Sequence, residues 1–432
     1  MGQVVRGNPT FQNLATFLNN NPQSSLSAGA IVGGCLLGSL DGACTERLLL
    51  QCASALESND VTLAQQVMWV LNNVASATGD AANQRLTSWF LRALVSRAAR
   101  VYPKSYPMCG GGGGGRVMAV TELAGYVDLI PWYRFGFCAA NSAILEAVQG
   151  CAKVHILDFS VTHCMQWPTL IDALADRPEG PPSSLRLSVP SWRPPVPPLL
   201  SLSAEEVGLR LANFAKSRSI PFQFSVIDIN NGGLGLFEDA DEALVVNCQN
   251  WLRYLPCRQT FLDTIKCLNP TLITVIDEDA DLDAPSLSSR IVNCFNYLWI
   301  IFDSLETFLS KDSQQRTEYE ADVGQKIENI IGFEGGQRII ERLESSTTLS
   351  TRMRNSGFVN VPFSEETVKE VKFMLDEHAS GWGMKKKEDG TLVLTWKGHS
   401  SVYATTWVPP YNNHSIHDIS CILESDHYSI MN

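Results

Sequence analysis

The stretch Val154-His155-Ile156-Leu157-Asp158-Phe159-Ser160-Val161-Thr162-His163-Cys164-Met165-Gln166-Trp167-Pro168 decides the fold. It opens as a short apolar run that reaches an acid and passes into a loop. Downstream, the runs Leu185 to Val189, Phe222 to Ile227, Ala243 to Cys248 and Leu272 to Ile276 alternate with helix-length segments. Near-continuous apolar, β-branched runs of this kind suit parallel strands covered on both faces, so an α/β, doubly wound sheet is expected after Cys151. Such a sheet takes its ligand at the carboxyl ends of its strands, which places a cofactor, if there were one, in the loop after Asp158.

That loop lacks what a cofactor needs. Dinucleotide and S-adenosylmethionine sites use glycine here, because a β-carbon blocks the tight turn and the close approach of backbone to ligand. No glycine occurs between Gly150 and Gly180, and no Asp or Glu falls between Pro181 and Ala204 to hold ribose hydroxyls after the second strand. No cofactor is expected.

Upstream, the texture is helical. Leu48, Leu49, Cys52 and Leu56, then Ala64, Val67, Met68, Leu71 and Val74, then Leu86, Phe90 and Leu94 recur at helical spacing, with breaks at Ser58-Asn59-Asp60 and Gly79-Asp80. Three amphipathic helices are expected. The glycine run Gly110 to Gly115 reads as a flexible insert, since no Gly-Lys-Ser/Thr follows it. Residues 7–40 carry no charge, and 1–42 are expected to form a flexible N-terminal arm. Ala28 to Leu40 is apolar but holds four glycines and is too short to span a bilayer. From Leu287 to Leu309, Ile291, Phe295, Leu298, Phe302, Leu305 and Leu309 trace one long amphipathic helix. Leu392 to Trp396 and Tyr403 to Trp407, around the polar turn Lys397 to Ser401, read as an antiparallel hairpin at the sheet's edge.

The 432 residues include 33 basic and 45 acidic side chains, a net charge of −12. An acidic balance works against broad binding to a phosphate backbone. The positive groups available for it are Arg92, Arg97, Arg100, Lys104 and the triplet Lys385-Lys386-Lys387, the last followed by Glu388-Asp389. The twelve cysteines contain no Cys-x-x-Cys pair and read as reduced thiols rather than zinc ligands.

Other constellations are weak. His155 lies inside an apolar strand, where a hydrogen-bonded core histidine is the simpler reading. His163 and Cys164 adjoin, but neighbours rarely face one another and no third member can be placed. His414, His417, Asp418, Asp426 and His427 sit in a polar tail, and Asp277 to Asp283 resembles a calcium loop without its central glycine and closing glutamate. Trp382, Trp396 and Trp407 fit either a binding role or the sealing of the sheet.

Val154-His155-Ile156-Leu157-Asp158 followed by Gln166-Trp167-Pro168-Thr169-Leu170 resembles the central motif of the GRAS family of plant transcriptional regulators. The resemblance continues on both sides. Leu48 to Arg100, with Gln84-Arg85-Leu86 and Phe90-Leu91-Arg92-Ala93-Leu94, resembles the family's first leucine-rich region. Ile327 to Arg342, with Asn329-Ile330-Ile331 and Glu334-Gly335-Gly336-Gln337-Arg338, resembles its fourth motif, and Gly381-Trp382 through Trp407 its closing one. Here Thr405-Thr406-Trp407 replaces Ser-Ala-Trp, and Leu349 stands where many relatives carry tryptophan. Ser160 and Thr162-His163-Cys164 before Gln-Trp-Pro are similar to the SCARECROW-like, and closest to the short-root-like, branch. The N-terminal arm has no gibberellin-responsive signature of the DELLA type.

The resemblance implies a Rossmann-like, methyltransferase-type sheet with an N-terminal α-helical cap. Residues 43–150 would form the cap and 151–432 the core with cap insertions and the C-terminal hairpin, together one domain over 43–432. It implies a regulator and not an enzyme, located in the nucleus with the cytoplasm as a second compartment. Such proteins pair with other GRAS proteins, as homo- or heterodimers, and dock on indeterminate-domain C2H2 zinc-finger transcription factors, reaching DNA mainly through partners. On this reading Leu48, Leu56, Val67, Leu71, Leu86, Phe90 and Leu94 are the candidate partner interface, and the long helix with the edge hairpin supplies core and docking groove. The alternatives are an S-adenosylmethionine-dependent methyltransferase and a direct DNA-binding factor.

Overall fold

The computed structural model describes residues 42–101 apart from 80, 117–228 apart from 163 and 198, 241–332, 334, and 340–410 apart from 379. The expected arm, the glycine run, His163, the side chain of Arg100, Lys104, Gly335 to Arg338 and the tail residues His414, His417, Asp418, Asp426 and His427 lie outside the described residues.

The chain runs through helices α1 (Gly42–Glu57), α2 (Val61–Val74) and α3 (Ala82–Val101), strand β1 (Val117–Met118), and helices α4 (Val120–Leu129) and α5 (Trp132–Ala147). An alternating stretch follows: β2 (Lys153–Ser160), α6 (Trp167–Ala175), β3 (Ser184–Pro190), β4 (Leu199–Leu200), α7 (Ala204–Ser217), β5 (Phe222–Ile227), β6 (Glu242–Gln249), α8 (Arg258–Cys267) and β7 (Leu272–Glu278). Helices α9 (Leu287–Phe308) and α10 (Gln314–Ile327) come next, then α11 (Ser346–Asn355), β8 (Val359–Val361), α12 (Glu365–Asp376), β9 (Trp382–Lys386), β10 (Leu392–Trp396) and β11 (His399–Val408).

Two compact units result, a helical one from the described residues up to 101 with 281–342, and one built on the sheet from 117–280 with 343–410. The boundary expected at 150 therefore moves. Residues 117–150 belong with the sheet, while 281–342 return to the helical unit.

In the helical unit the three expected helices form where their periodicity puts them. Asp60 caps α2 by accepting the Leu63 N–H at 3.0 Å, and Asn59 makes the preceding turn at φ 60°. The apolar faces bury Leu49, Cys52, Val67, Met68, Leu71, Leu86, Phe90 and Leu94, and α9 adds Ile291, Cys294, Phe295, Leu298, Phe302 and Leu305. Phe90 meets Phe295 edge-on, with ring centroids 5.6 Å apart. Each large side chain so buried stabilises the unit by about 1.5–3 kcal/mol. Glu57 at the end of α1 ties the two segments: its carboxylate accepts from Leu287 N–H at 2.6 Å and Ser288 Oγ at 2.8 Å, where the N-terminus of α9 favours negative charge.

The main sheet runs β5-β3-β2-β6-β7-β11-β10-β9, with β8 paired to the far end of β11; β1 and β4 form a separate two-stranded ribbon. Strands β5, β3, β2, β6 and β7 are parallel, and β11 runs antiparallel between β7 and β10. This is the Rossmann-like, methyltransferase-type order. The chain leaves β2 to one side for β3 and β5, then crosses to β6, so the switch point lies between β2 and β6.

Two expectations about the sheet change. Double coverage holds for β2, β6 and β7, which are buried almost throughout, but β5 is an edge strand with Gln223, Ser225 and Val226 exposed. The hairpin is real, yet its turn shrinks to Lys397-Gly398, both at positive φ, and it does not form the edge because β9 pairs with β10. Trp382-Gly383-Met384-Lys385-Lys386 lacks the apolar alternation that would have marked β9 as a strand.

Candidate functional site

At the carboxyl ends of β2 and β6, where this fold places a ligand, polar side chains bind one another. Asp158, fully buried, accepts from Asn247 Nδ2 at 2.9 Å on one oxygen, and from Trp167 Nε1 at 2.9 Å and Ser160 Oγ at 3.1 Å on the other. Asn247 in turn accepts from Thr274 Oγ1 at 2.7 Å and also approaches Gln166 Oε1 at 3.3 Å, while Gln166 Nε2 donates to Asn141 Oδ1 at 2.9 Å. Burial raises the Asp158 carboxyl above its ordinary value, outweighing the hydrogen bonds from Asn247 and Trp167 that lower it.

Beside this network the crevice is aromatic. Phe159 packs edge-on against Phe261 at 4.9 Å and tilted against Trp251 at 5.6 Å, and Trp192, just after β3, sits edge-on to Trp251 at 5.6 Å. Trp192 occupies the region where a ribose-holding acid belongs. The turn that glycine makes in cofactor-binding relatives of this fold is made by Cys164 at φ 61°. These residues do not fit a dinucleotide or S-adenosylmethionine: both carboxylate oxygens are engaged and no acid follows β3 to hold a ribose.

The same region leaves little scope for catalysis by the residues weighed from sequence. Burial, then Asp158, pushes the Cys164 thiol up to about 12, so it is no nucleophile at neutral pH. His155 is a core histidine as expected, its Nε2 at 2.8 Å from Ser188 Oγ and its Nδ1 facing Glu242 Oε2 at 3.2 Å. Burial and then Arg186 lower its pKa to about 3, so the ring is neutral, and the charge of Glu242 is met by Arg186 at 3.0 Å.

Of the remaining motif residues, Val154, Ile156 and Leu157 are core side chains of β2, and Gln166, Trp167 and Pro168 open α6, the first two of them buried. Trp396 and Trp407 are fully buried and Trp382 half-buried, its ring 4.8 Å from that of Trp396. They seal the sheet unit from within. In the fourth motif, Glu334 gathers three guanidiniums, Arg97 at 2.8 Å, Arg342 at 3.3 Å and Arg290.

The candidate partner leucines need correction. Val67, Leu71, Leu86, Phe90 and Leu94 are 0–1% exposed, because α1, α2 and α3 pack on one another and α9 of the same chain covers α1 and α3; only Leu48 and Leu56 are half-buried and retain surface. The candidate phosphate-binding groups are likewise engaged. Lys385 donates to Ser400 Oγ, Lys386 to Glu365 and the Phe363 carbonyl, and Lys387 to Ser346, while Arg92 pairs with Glu328. In the acidic run, Asp277 and Glu278 hold buried Arg253, and Asp279 accepts from Ser346, so these carboxylates serve protein partners. Among the described residues no group of three potential ligands could hold a metal ion, and no helix is long and apolar enough to cross a membrane.

Asn141, Asn247, Trp192, Trp251 and Arg253 were missed in the sequence. Only Asn247 carried a signal, as an amide inside the apolar run Val245-Val246-Asn247-Cys248.

Fold and site together define a methyltransferase-type sheet whose ligand end is closed by its own side chains, in a chain that also forms a helical unit. The GRAS domain family matches residues 45–408, and the chain belongs to that family of plant transcriptional regulators. Scarecrow-like protein 32 of Arabidopsis thaliana is 46% identical over 397 residues, 87% of this chain and 96% of its own length. Protein SHORT-ROOT of the same plant is 32% identical over 400 residues, 84% of this chain and 73% of its own. The crystal structure of SCL7 in Oryza sativa has a TM-score of 0.71 at 26% identity, covering 84% of this chain and 99% of that one. A further relative from Arabidopsis thaliana, 30% identical over 381 residues, is named a Scarecrow-like transcription factor.

Proposed function

We propose that the chain is a nuclear transcriptional co-regulator of plant growth and development that works by capturing proteins. Its partners on this reading are other GRAS proteins and indeterminate-domain C2H2 zinc-finger transcription factors, and it meets DNA mainly through the latter. The observation that carries the proposal is the closed ligand end of the sheet: Asp158, Asn247, Gln166 and Trp167 spend their hydrogen bonds on one another, leaving a scaffold in place of a cofactor site. The acidic charge and the engagement of Lys385, Lys386 and Lys387 within the protein fit a chain that leaves base reading to a partner. A partner surface on the helical unit falls to exposed side chains such as Trp69, with the half-buried Leu48 and Leu56, rather than to the buried leucines.

The test is a band-shift experiment with the purified chain, an indeterminate-domain zinc-finger protein and that protein's target DNA. The chain is expected to shift the DNA only when the zinc-finger protein is present. Sequence-selective binding by the chain alone, falling steeply with salt, would put direct DNA reading first. Saturable binding of S-adenosylmethionine in a calorimetric titration would restore the enzyme.

A further inference from the structure

We propose that Arg97, Arg290 and Arg342 form a binding site for a phosphate monoester, whose place the carboxylate of Glu334 holds. The three arginines come from separate stretches of the helical unit: α3, the first turn of α9 and the segment after α10. Backbone carbonyls fix each guanidinium from behind. Arg97 Nη1 donates to Ile331 O at 3.0 Å, Arg290 Nη1 to Ala284 O at 2.7 Å and Pro285 O at 3.2 Å, and Arg342 Nη1 to Ile330 O at 3.1 Å and Glu341 O at 2.9 Å. With one arm of each so held, all three turn Nη2 to the same carboxylate. The geometry is set before any ligand arrives, which lowers the cost of binding one.

Glu334 leaves this arrangement short of acceptors. Its Oε1 serves Arg97 at 2.8 Å and Arg290 together, and its Oε2 serves Arg342 at 3.3 Å. Arg290 is 2% exposed, and its Nε, on the same guanidinium edge as the Nη2 that meets Glu334, has no partner among the described residues. A buried N–H without an acceptor is costly, so the site asks for one more oxygen on that edge. Charge is short as well. Burial and then the like charge of Arg290 lower the pKa of Arg342, and the acids acting on it are Glu334 and the exposed Asp283. Burial pushes the Glu334 carboxyl up, but Arg290 and then Arg97 outweigh it and hold the group below its ordinary value.

A phosphate monoester supplies what is missing. It carries a charge of about −2 at neutral pH and three strong acceptor oxygens, one for each guanidinium, with lone pairs left for Arg290 Nε. In place of the single charge of Glu334, that double charge and Asp283 balance the three arginines. Guanidinium forks match phosphate oxygens in spacing and plane. The Glu334 side chain is 49% exposed, so its carboxylate can pass into water while a phosphate group enters from the surface. A carboxylate ligand would bring no more than Glu334 already does. Phosphodiesters of a duplex carry one charge each and lie in a row, whereas these three cations converge on a point.

Calorimetric titration of the full chain with inorganic phosphate, at neutral pH and constant ionic strength, tests the proposal. Saturable binding is expected. Arg97→Gln and Arg342→Gln should each weaken it by about tenfold or more, and Glu334→Gln, which removes the competing carboxylate, should strengthen it by about tenfold. Arg97→Lys keeps the charge but loses the fork and should also weaken binding, with far-ultraviolet circular dichroism unchanged. Glu334→Gln should melt below the wild type in chloride and recover in phosphate, a rescue that a fold defect does not imitate. A serine phosphopeptide that binds more tightly than inorganic phosphate, while its unphosphorylated form does not bind, makes a partner protein the source of the group; equal affinity makes a small phosphate ester the source. The proposal is overturned if neither the wild type nor Glu334→Gln binds millimolar phosphate, or if Arg97→Gln and Arg342→Gln leave binding unchanged. It is overturned too if duplex DNA competes more strongly than the phosphopeptide, since the arginines would then read a nucleic-acid backbone. None of these results bears on zinc-finger capture, which the band-shift experiment reads separately.

Discussion

His155 and Asp158 share one buried strand and titrate by the same cause with opposite signs. Burial disfavours charge, so the imidazole pKa falls from 6.5 to about 3 while the carboxyl pKa rises. A histidine held neutral in the fold contributes stability that is present above pH 6.5 and is lost as the pH drops toward 3, because the unfolded chain takes up the proton first. The slope is about 1.4 kcal/mol per pH unit, so wild type should lose about 2 kcal/mol more than His155→Gln between pH 7 and pH 5 in paired urea titrations. Parallel losses in the two chains would mean that the ring is not held neutral. At this scale the sequence was legible for the strand and for His155, since an apolar run says where a side chain is buried. It was silent on Asp158's partners: Asn247 lies 89 residues away, and no local pattern records which amide will meet a buried carboxylate.

Among the elements, the C-terminal strands show how two glycines of similar backbone shape differ in cost. Gly398 turns the hairpin at φ 86° with open space where a β-carbon would go, so Gly398→Ala should cost only the conformational penalty, about 1 kcal/mol. Gly381 enters β9 at φ 123°, and a β-carbon there would stand 2.7 Å from the buried Trp396 ring. Gly381→Ala should therefore cost about 2–4 kcal/mol, the backbone strain plus displacement of a ring inside a packed sheet. Denaturant midpoints of the two variants check the order; equal losses would show that β9 gives way without disturbing Trp396. The hairpin was readable from alternation and its turn residues. Strand β9 was not, because its exposed lysines and small residues are chosen by an edge position that only the assembled sheet defines.

For the whole molecule the decisive feature is that the helical unit is made from two distant stretches of chain. Periodicity identified α1, α2, α3 and α9 one by one, yet an amphipathic stripe states only that a face is covered and not by what, so a cap ending at 150 was the natural expectation. Instead α9 packs against α1 and α3, with Phe90 edge-on to Phe295, and Glu57 holds the start of α9. A fragment of residues 43–150 would lack α9 and α10 and expose that stripe to water, at about 1.5–3 kcal/mol for each large side chain left uncovered. It should show no cooperative thermal transition, whereas the full chain should melt cooperatively. Leu71→Asp in the full chain should unfold the helical unit rather than report on pairing, because it places a charge at a fully buried position between packed helices. A 43–150 fragment that melts cooperatively would mean that the three N-terminal helices close their own core, and the buried leucines would again have to be weighed as a surface.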